Sequence, residues 1–392
     1  FCRFPVSHRA KDRFVEALFL VALIGSLHSY LGYPLIMLLL SKVAGRPGVA
    51  GAPGYRPSFS VIITAHNEVV RIAAKVADTL ALFEGRDFEI IVVSDASNDG
   101  TDDAVRALGD GRVRLVRQED RKGKESGQRH GIEAATGEIL VFSDVATRIG
   151  SGSIDALVER FSDPAVGAVS SEDRFETADG RIVGEGLYVR YEMWLRRLES
   201  RAAGLVGLSG SFFAVRKDVV REDWRTDVPS DFTVALTCAR KGLKAVSDPE
   251  VIGIYPDLKE PADEYARKRR TVLRGMAGMA AAREVLNPFR YGLFAWQAWS
   301  HKVLRWAVPW FLLLLLFSSL ALAGDGRLYL AVLIGQLAGY GLALLGWVSR
   351  RARTNGLVRL AFYFCQVNLA MADALLRFAR GERVVTWEPS KR

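Results

Sequence analysis

Apolar positions are massed at the two ends of the chain and recur at short intervals through its middle. Positions 14–40 are almost all apolar, broken by Glu16 and a few polar residues such as His28. About 20 such residues suffice to cross a bilayer. The pattern predicts a transmembrane helix over 14–41 behind a polar tail, 1–13. A signal peptide fits less well, because the apolar stretch is too long and no small-residue cleavage site follows it. Near the other end, 306–323 carries no charge and holds the run Phe311-Leu312-Leu313-Leu314-Leu315-Leu316-Phe317. Gly324-Asp325-Gly326-Arg327 interrupts it, and 328–349 is again uncharged. This reads as a transmembrane helical hairpin over 303–349. The aromatic segment 286–302, with Phe289, Tyr291, Phe294, Trp296 and Trp299, reads as an interfacial amphipathic helix leading into it. A third C-terminal helix, 356–378, carries Gln366, Asn368 and Asp373 and is either transmembrane or interfacial, ahead of a tail, 379–392.

The middle has a different rhythm. Short apolar runs at 58–64, 89–93, 113–116 and 138–142 alternate with helical spacing at 68–83, 102–108 and 127–135. Such alternation predicts a doubly wound, mostly parallel α/β domain, placed at 56–285. Ligands in such sheets sit at the carboxyl ends of the strands. There the sequence has Ala65-His66-Asn67-Glu68, Ser94-Asp95 and Ser143-Asp144. No GxGxxG or GxxxxGK[ST] follows the first strand, which excludes a dinucleotide fingerprint and a P-loop. Carboxylates at strand ends, with Lys122 and Lys124 in a Gly-containing loop, suit a divalent cation bridging to a diphosphate.

Composition narrows the classes. Of 392 residues 49% are hydrophobic and 25% charged, which excludes disordered and collagen-like chains. Cys2, Cys238 and Cys365 are too scattered for a zinc cluster or a disulfide framework. The net charge of +9 points to an anionic partner. The flanking spans argue against nucleic acid and for membrane lipid. Lys302 and Arg305, then Arg350, Arg351, Arg353 and Arg359, place both ends of the hairpin in the cytoplasm, and the middle domain with them. Arg3, Arg9, Lys11 and Arg13 pull the other way. Ala- and Arg-rich usage points to a bacterium, so the expectation is a multi-pass protein of the cytoplasmic (inner) membrane with a cytoplasmic catalytic domain.

The ordered set Ser60-Val61-Ile62-Ile63-Thr64-Ala65-His66-Asn67-Glu68, Val93-Ser94-Asp95-Ala96-Ser97-Asn98-Asp99-Gly100-Thr101, Lys122-Gly123-Lys124 and Phe142-Ser143-Asp144-Val145-Ala146-Thr147 resembles the family 2 glycosyltransferases. The likeness is greatest to the membrane-bound, cellulose-synthase-like members. It implies a GT-A fold, a Rossmann-like, mostly parallel α/β sheet in a cytoplasmic domain, joined to transmembrane α-helices. It also implies an inverting transferase that moves a sugar from a nucleotide-diphosphate donor to a lipid-linked or growing glycan acceptor, in cell-surface polysaccharide or glycolipid synthesis. By the resemblance, Ala65, Asn67, Glu68 and Asp95 lie around the nucleotide and Lys124 near the diphosphate. Asp144 takes the first position of a metal-binding DxD motif for Mg2+ or Mn2+. Ala146 stands where the second carboxylate belongs.

Downstream, the segment with Ser209 and Gly210 resembles the family's acceptor-side wall, and Pro229-Ser230-Asp231 its acidic base motif. Asp231 is the implied general base, with Ser230 beside it. Arg267-Lys268-Arg269-Arg270-Thr271 resembles the processive QxxRW motif but lacks its Trp. Arg267, Arg270 and Arg274 read as diphosphate clamps, or the cluster touches anionic lipid. Glu172 and Asp173 either face the acceptor sugar or are solvated. Asp99, Asp102 and His66 have bland readings as turn, capping and loop residues. Two further readings stand beside the transferase: a degenerate, non-catalytic membrane subunit, from the departures at Ala146, Ser230 and Thr271, and a nucleotidyl or phosphoryl transferase on the same fold.

Overall fold

The computed structural model describes residues 8–43, 54–176, 182–183, 187–256 and 261–383. The chain divides into two units: Met37–Lys259 with Arg274–Ala298 and Arg383–Arg392, and Phe1–Ile36 with Glu260–Leu273 and Trp299–Glu382.

The first unit is built on a nine-stranded sheet: β1 Phe59–Ala65, β2 Phe88–Asp95, β3 Val113–Gln118, β4 Ile139–Asp144, β5 Arg148–Ile149, β6 Val166–Glu176, β7 Ile182–Val183, β8 Phe212–Arg216 and β9 Lys244–Pro256. The spatial order is β3-β2-β1-β4-β8-β6-β9-β5, with β7 paired to β6. The first four strands in that order run parallel. Their side chains alternate between two cores. Phe59, Val61, Ile63, Ile90, Val92 and Val141 fill one face. Ile62, Ile91, Val93, Leu140 and Phe142 fill the other. Burial on both faces is why β1, β2 and β4 read as unbroken apolar runs, whereas β3, at the sheet edge, is mostly half-buried. Phe142 stacks between Phe213 and Trp224, with ring centroids 4.8 and 5.3 Å away.

Strand β8 breaks the parallel pattern. It runs antiparallel to β4, with Phe212 opposite Ser143. Its preceding loop, 207–211, is thereby brought to the carboxyl end of β4, where a further parallel strand would have put its own exit. The helix Lys124–Ala134 starts three residues ahead of the spacing-based expectation. Gly123, at φ 90°, turns the chain into it, and the polar first turn Lys124-Glu125-Ser126 carries no apolar signal.

In the second unit, the helix His8–Leu27 passes through a π-helical turn, His28–Gly32, into the helix Tyr33–Val43, whose residues from Met37 onward are counted in the first unit. Pro34 has no N–H to give to the carbonyl four residues back. The wider turn lets the Tyr33 N–H reach the His28 carbonyl instead. Phe19 and Ala22 pack on Leu315 and Leu322, and Gly25 lies so close to Phe311 that a Cβ there would fall 2.7 Å from the ring. The helices Leu304–Ala321, Arg327–Val348 and Gly356–Ala379 complete the unit. The Asn355 side chain caps the last by accepting from the N–H groups of Leu357 and Val358. Leu328, Ile334, Leu337, Leu344 and Trp347 are exposed. Among the described residues three helical stretches are long and apolar enough to cross a membrane: Asp12–Val43, Pro288–Ala321 and Arg327–Val348. Helix Gly356–Ala379 is not one of them.

The sheet's tightest backbone approach lies at Gly137, just before β4. A Cβ there would sit 2.5 Å from the Phe59 carbonyl carbon and 2.6 Å from the Ser60 nitrogen. Gly137→Ala must therefore spread β1 from β4, at a cost of about 2 kcal/mol. Chemical denaturation of the two proteins reads this directly.

Candidate active site

The site grows from the carboxyl ends of β1, β2 and β4. Past β1 and β2 the chain turns back through two non-glycine residues in the left-handed region, Asn67 at φ 56° and Ala96 at φ 53°. Such conformations persist only where the surroundings hold them. Here the two loops are laced together. The Asn67 N–H donates to Ser97 Oγ at 3.1 Å, and the Asn98 N–H to Asn67 Oδ1 at 2.9 Å. The Glu68 N–H donates to Thr101 Oγ1 at 2.8 Å, and the Val69 N–H to Asp99 Oδ2 at 3.0 Å. His66 Nδ1 lies 2.7 Å from the Asp95 carbonyl. His66 and Asp99 thus build the loops. Asp102 pairs with Arg117.

Asp95, at the end of β2, is buried and fully engaged. Its Oδ1 accepts from Gln118 Nε2 at 3.1 Å and from the Lys122 N–H at 2.8 Å, and its Oδ2 from the Gly123 N–H at 2.9 Å. The carboxylate holds the corner from which the next helix starts. Lys124 is the first residue of that helix. Its ammonium donates to Asp144 Oδ1 and, at 2.7 Å, to the Gly210 carbonyl. The Asp144 N–H donates to the Ser211 carbonyl at 2.9 Å. Asp231 stands in the first turn of the helix Ser230–Arg240. Its carboxylate lies beside Gly210, where a Cβ would come within 3.2 Å of Oδ2. Asp144, Lys124, Gly210 and Asp231 therefore converge on one place.

The other expected residues surround it unequally. Ala65 ends β1 and is buried. Glu68 pairs with Arg71 at 2.6 Å. Burial pushes its carboxyl above the ordinary carboxylate value against the Arg71 charge, and the charges of Asp144 and Asp99 push the same way. Ser209 Oγ donates to Asp173 Oδ1 at 2.5 Å, and Ser171 Oγ to the same oxygen at 3.2 Å. Burial raises the Asp173 carboxyl, opposed by the Arg196 charge and these hydroxyls. Ser230 Oγ donates to Gln128 Oε1 at 2.7 Å. Glu172 is held bidentately by Arg197, at 2.6 and 2.7 Å, and is buried rather than solvated. Arg274 is engaged with the buried Glu125, next to Lys124 in sequence. Arg267 and Arg270 belong to the other unit.

Lys75 escaped the sequence reading. It lies on the helix Val69–Leu82 and is only 6% exposed. Its Nζ donates to Ser143 Oγ at 2.8 Å and to the Thr147 carbonyl at 2.5 Å. Burial draws its pKa down to about 8, while Asp144 and Asp78 favour the ammonium. Its signal was a lysine on the helix face that also carries Ile72, Val76 and Thr79, all buried.

Among the described residues no group of three or more His, Cys, Asp or Glu gathers as a metal cage. Asp144 does present a carboxylate that already carries a cation, the Lys124 ammonium. A single carboxylate of this kind fits an ion that completes an octahedral shell with diphosphate oxygens and water.

Residues 60–224 match the model of Glycosyl transferase family 2. This segment of the chain is thus a family 2 glycosyltransferase domain, and its fold is GT-A-like. The whole fold is similar to mannosyltransferase PcManGT from Pyrobaculum calidifontis, solved with GDP-Man and Mn2+: TM-score 0.71, 25% identity, covering 93% of this chain and 100% of that one. In sequence the chain is 30% identical over 127 residues to the succinoglycan biosynthesis protein ExoO of Rhizobium meliloti, covering 32% of this chain and 36% of that protein. It is 34% identical over 121 residues to the glycosyltransferase AglD of Haloferax volcanii, covering 29% and 19%. The chain thus spans less than half the length of the curated relatives it matches.

Asp95→Ala would leave the N–H groups of Lys122 and Gly123 without their acceptor, a cost of about 2–3 kcal/mol. The loss should appear in denaturation. Hydrogen exchange should speed up at 122–123 before it does in β1.

Proposed function

We propose that the protein is a membrane-integrated, inverting glycosyltransferase that moves a sugar from a nucleoside-diphosphate donor to a lipid-linked or growing glycan acceptor. The observation that carries this reading is the convergence of Asp144, Lys124, Gly210 and Asp231 at one strand end. Asn67, Glu68 and the loops around them receive the nucleoside. Lys124, seated on Asp144, is placed to turn its ammonium to the diphosphate when the donor enters. Asp144 would hold Mg2+ or Mn2+, which supplies positive charge to the leaving diphosphate. The presence of GDP-Man and Mn2+ in the structurally similar mannosyltransferase supports both assignments.

Asp231 acts as the general base. The acceptor hydroxyl oxygen bonds to the anomeric carbon while its proton passes to the Asp231 carboxylate. The bond from the anomeric carbon to the diphosphate oxygen breaks, and the diphosphate leaves with the electron pair. A single displacement inverts the anomeric centre. Gly210, with no side chain, leaves the carboxylate open toward the acceptor. The three apolar stretches and the Arg-rich segment 350–359 support a multi-pass protein of the bacterial inner membrane, with this site on the cytoplasmic side.

Two measurements test the reading. Calorimetry on the detergent-solubilised chain with GDP, UDP, CDP and dTDP, each with and without Mn2+, should give binding of one diphosphate that tightens with the metal; no binding of any would sink the donor assignment. Asp231→Asn should keep that binding and lower the transfer rate by about 10²- to 10⁴-fold. Full transfer activity in this variant would remove Asp231 as the base.

A further inference from the structure

Lysine is almost never fully buried without a reason, and Lys75 is buried directly behind the strand end that carries Asp144. Its two hydrogen bonds go to Ser143 Oγ and the Thr147 carbonyl, the residues on either side of the Asp144-Val145-Ala146 turn. Both partners are neutral. The ammonium is therefore fixed in place without being cancelled by a carboxylate in contact. Lys124 approaches Asp144 from its own helix. One strand-end carboxylate thus stands in the field of two ammonium groups, at a turn where Ala146 adds no second negative charge.

Charges fixed in a protein interior act over several ångströms with little screening. A site with an extra buried cation and one carboxylate fewer is more positive before any ion binds. It asks less of a divalent ion when a diphosphate arrives. We propose that Lys75 is a built-in cation of the donor-diphosphate site, so that the diphosphate binds with a reduced dependence on the divalent metal. This rests on the reading of Asp144 as the diphosphate end of the donor site.

The test is calorimetry on the full-length chain in detergent, using whichever of GDP, UDP, CDP or dTDP the unmodified protein binds, once in EDTA and once in saturating Mn2+. Lys75→Gln keeps a hydrogen-bond donor and removes the charge. It should weaken binding about tenfold in EDTA and much less in Mn2+, where the metal makes up the missing charge. Ala146→Asp changes the balance from the other side and lies on a partly exposed turn. It should weaken binding in EDTA about tenfold and tighten it in Mn2+. Equal losses with and without metal in Lys75→Gln would reduce Lys75 to a clamp on the turn and overturn the proposal. So would an Ala146→Asp variant whose binding is unchanged in EDTA. If the unmodified protein binds none of the four diphosphates in either condition, the donor-site reading itself falls, and this inference with it.

Discussion

The placement of the Lys124 ammonium depends on one carboxylate at the end of the neighbouring strand. Asp95 ends β2 and spends both oxygens on neighbours, two of them backbone N–H groups at 122 and 123. Those bonds fix where the chain leaves the sheet edge and enters the helix Lys124–Ala134. They thereby decide where the Lys124 ammonium stands. Without them the lysine would be one of many long surface cations. With them it meets Asp144 and the Gly210 carbonyl together. A buried carboxylate saturated by amide donors is also a rigid object, since each N–H loses its acceptor if the loop moves.

The second constraint is topological. Strands β1 to β4 present their carboxyl ends along one edge, where parallel sheets place their ligands. The antiparallel β8 then returns against β4 and delivers 207–211 to the same edge. The Leu208 N–H donates to the Asp231 carbonyl at 2.9 Å, which ties this loop to the helix that follows. Lys124 and Gly210, 86 positions apart, therefore meet in one hydrogen bond.

How much of this was legible depended on what each segment buries. β1, β2 and β4 were visible because both their faces are covered, so the apolar run is continuous. β9 was not. It contains Pro249, and its pairing with β6 shifts register where Ser170 gives way to Glu172. Strands of two residues such as β5 and β7 have no pattern to read. Motif order pointed to Asp144, Lys124, Gly210 and Asp231, and the fold brings them together. Motif order could not show that Glu172 is claimed by Arg197 or Arg274 by Glu125, because ion-pair partners 25 and 149 positions apart leave no local trace. Arg267 and Arg270 sit close to Arg274 in sequence but fall in the other unit. Lys75 stayed hidden for a related reason: in a helix, a lysine among apolar residues looks like one whose stem covers the core while its charge reaches water.

The π-helical turn at His28–Gly32 carries a consequence for the first apolar segment. An α-helix advances about 100° per residue, and a turn widened by one residue offsets everything beyond it by about that angle. The side chains of Tyr33–Val43 therefore point to a different side of the helix from those a straight continuation of His8–Leu27 would present. One apolar rod thus has two orientations, set by a single residue and a proline. To a hydropathy average this segment is uniform. To whatever lies beside it, it is two helices with separate faces, and the loss of one residue between 28 and 32 would merge them.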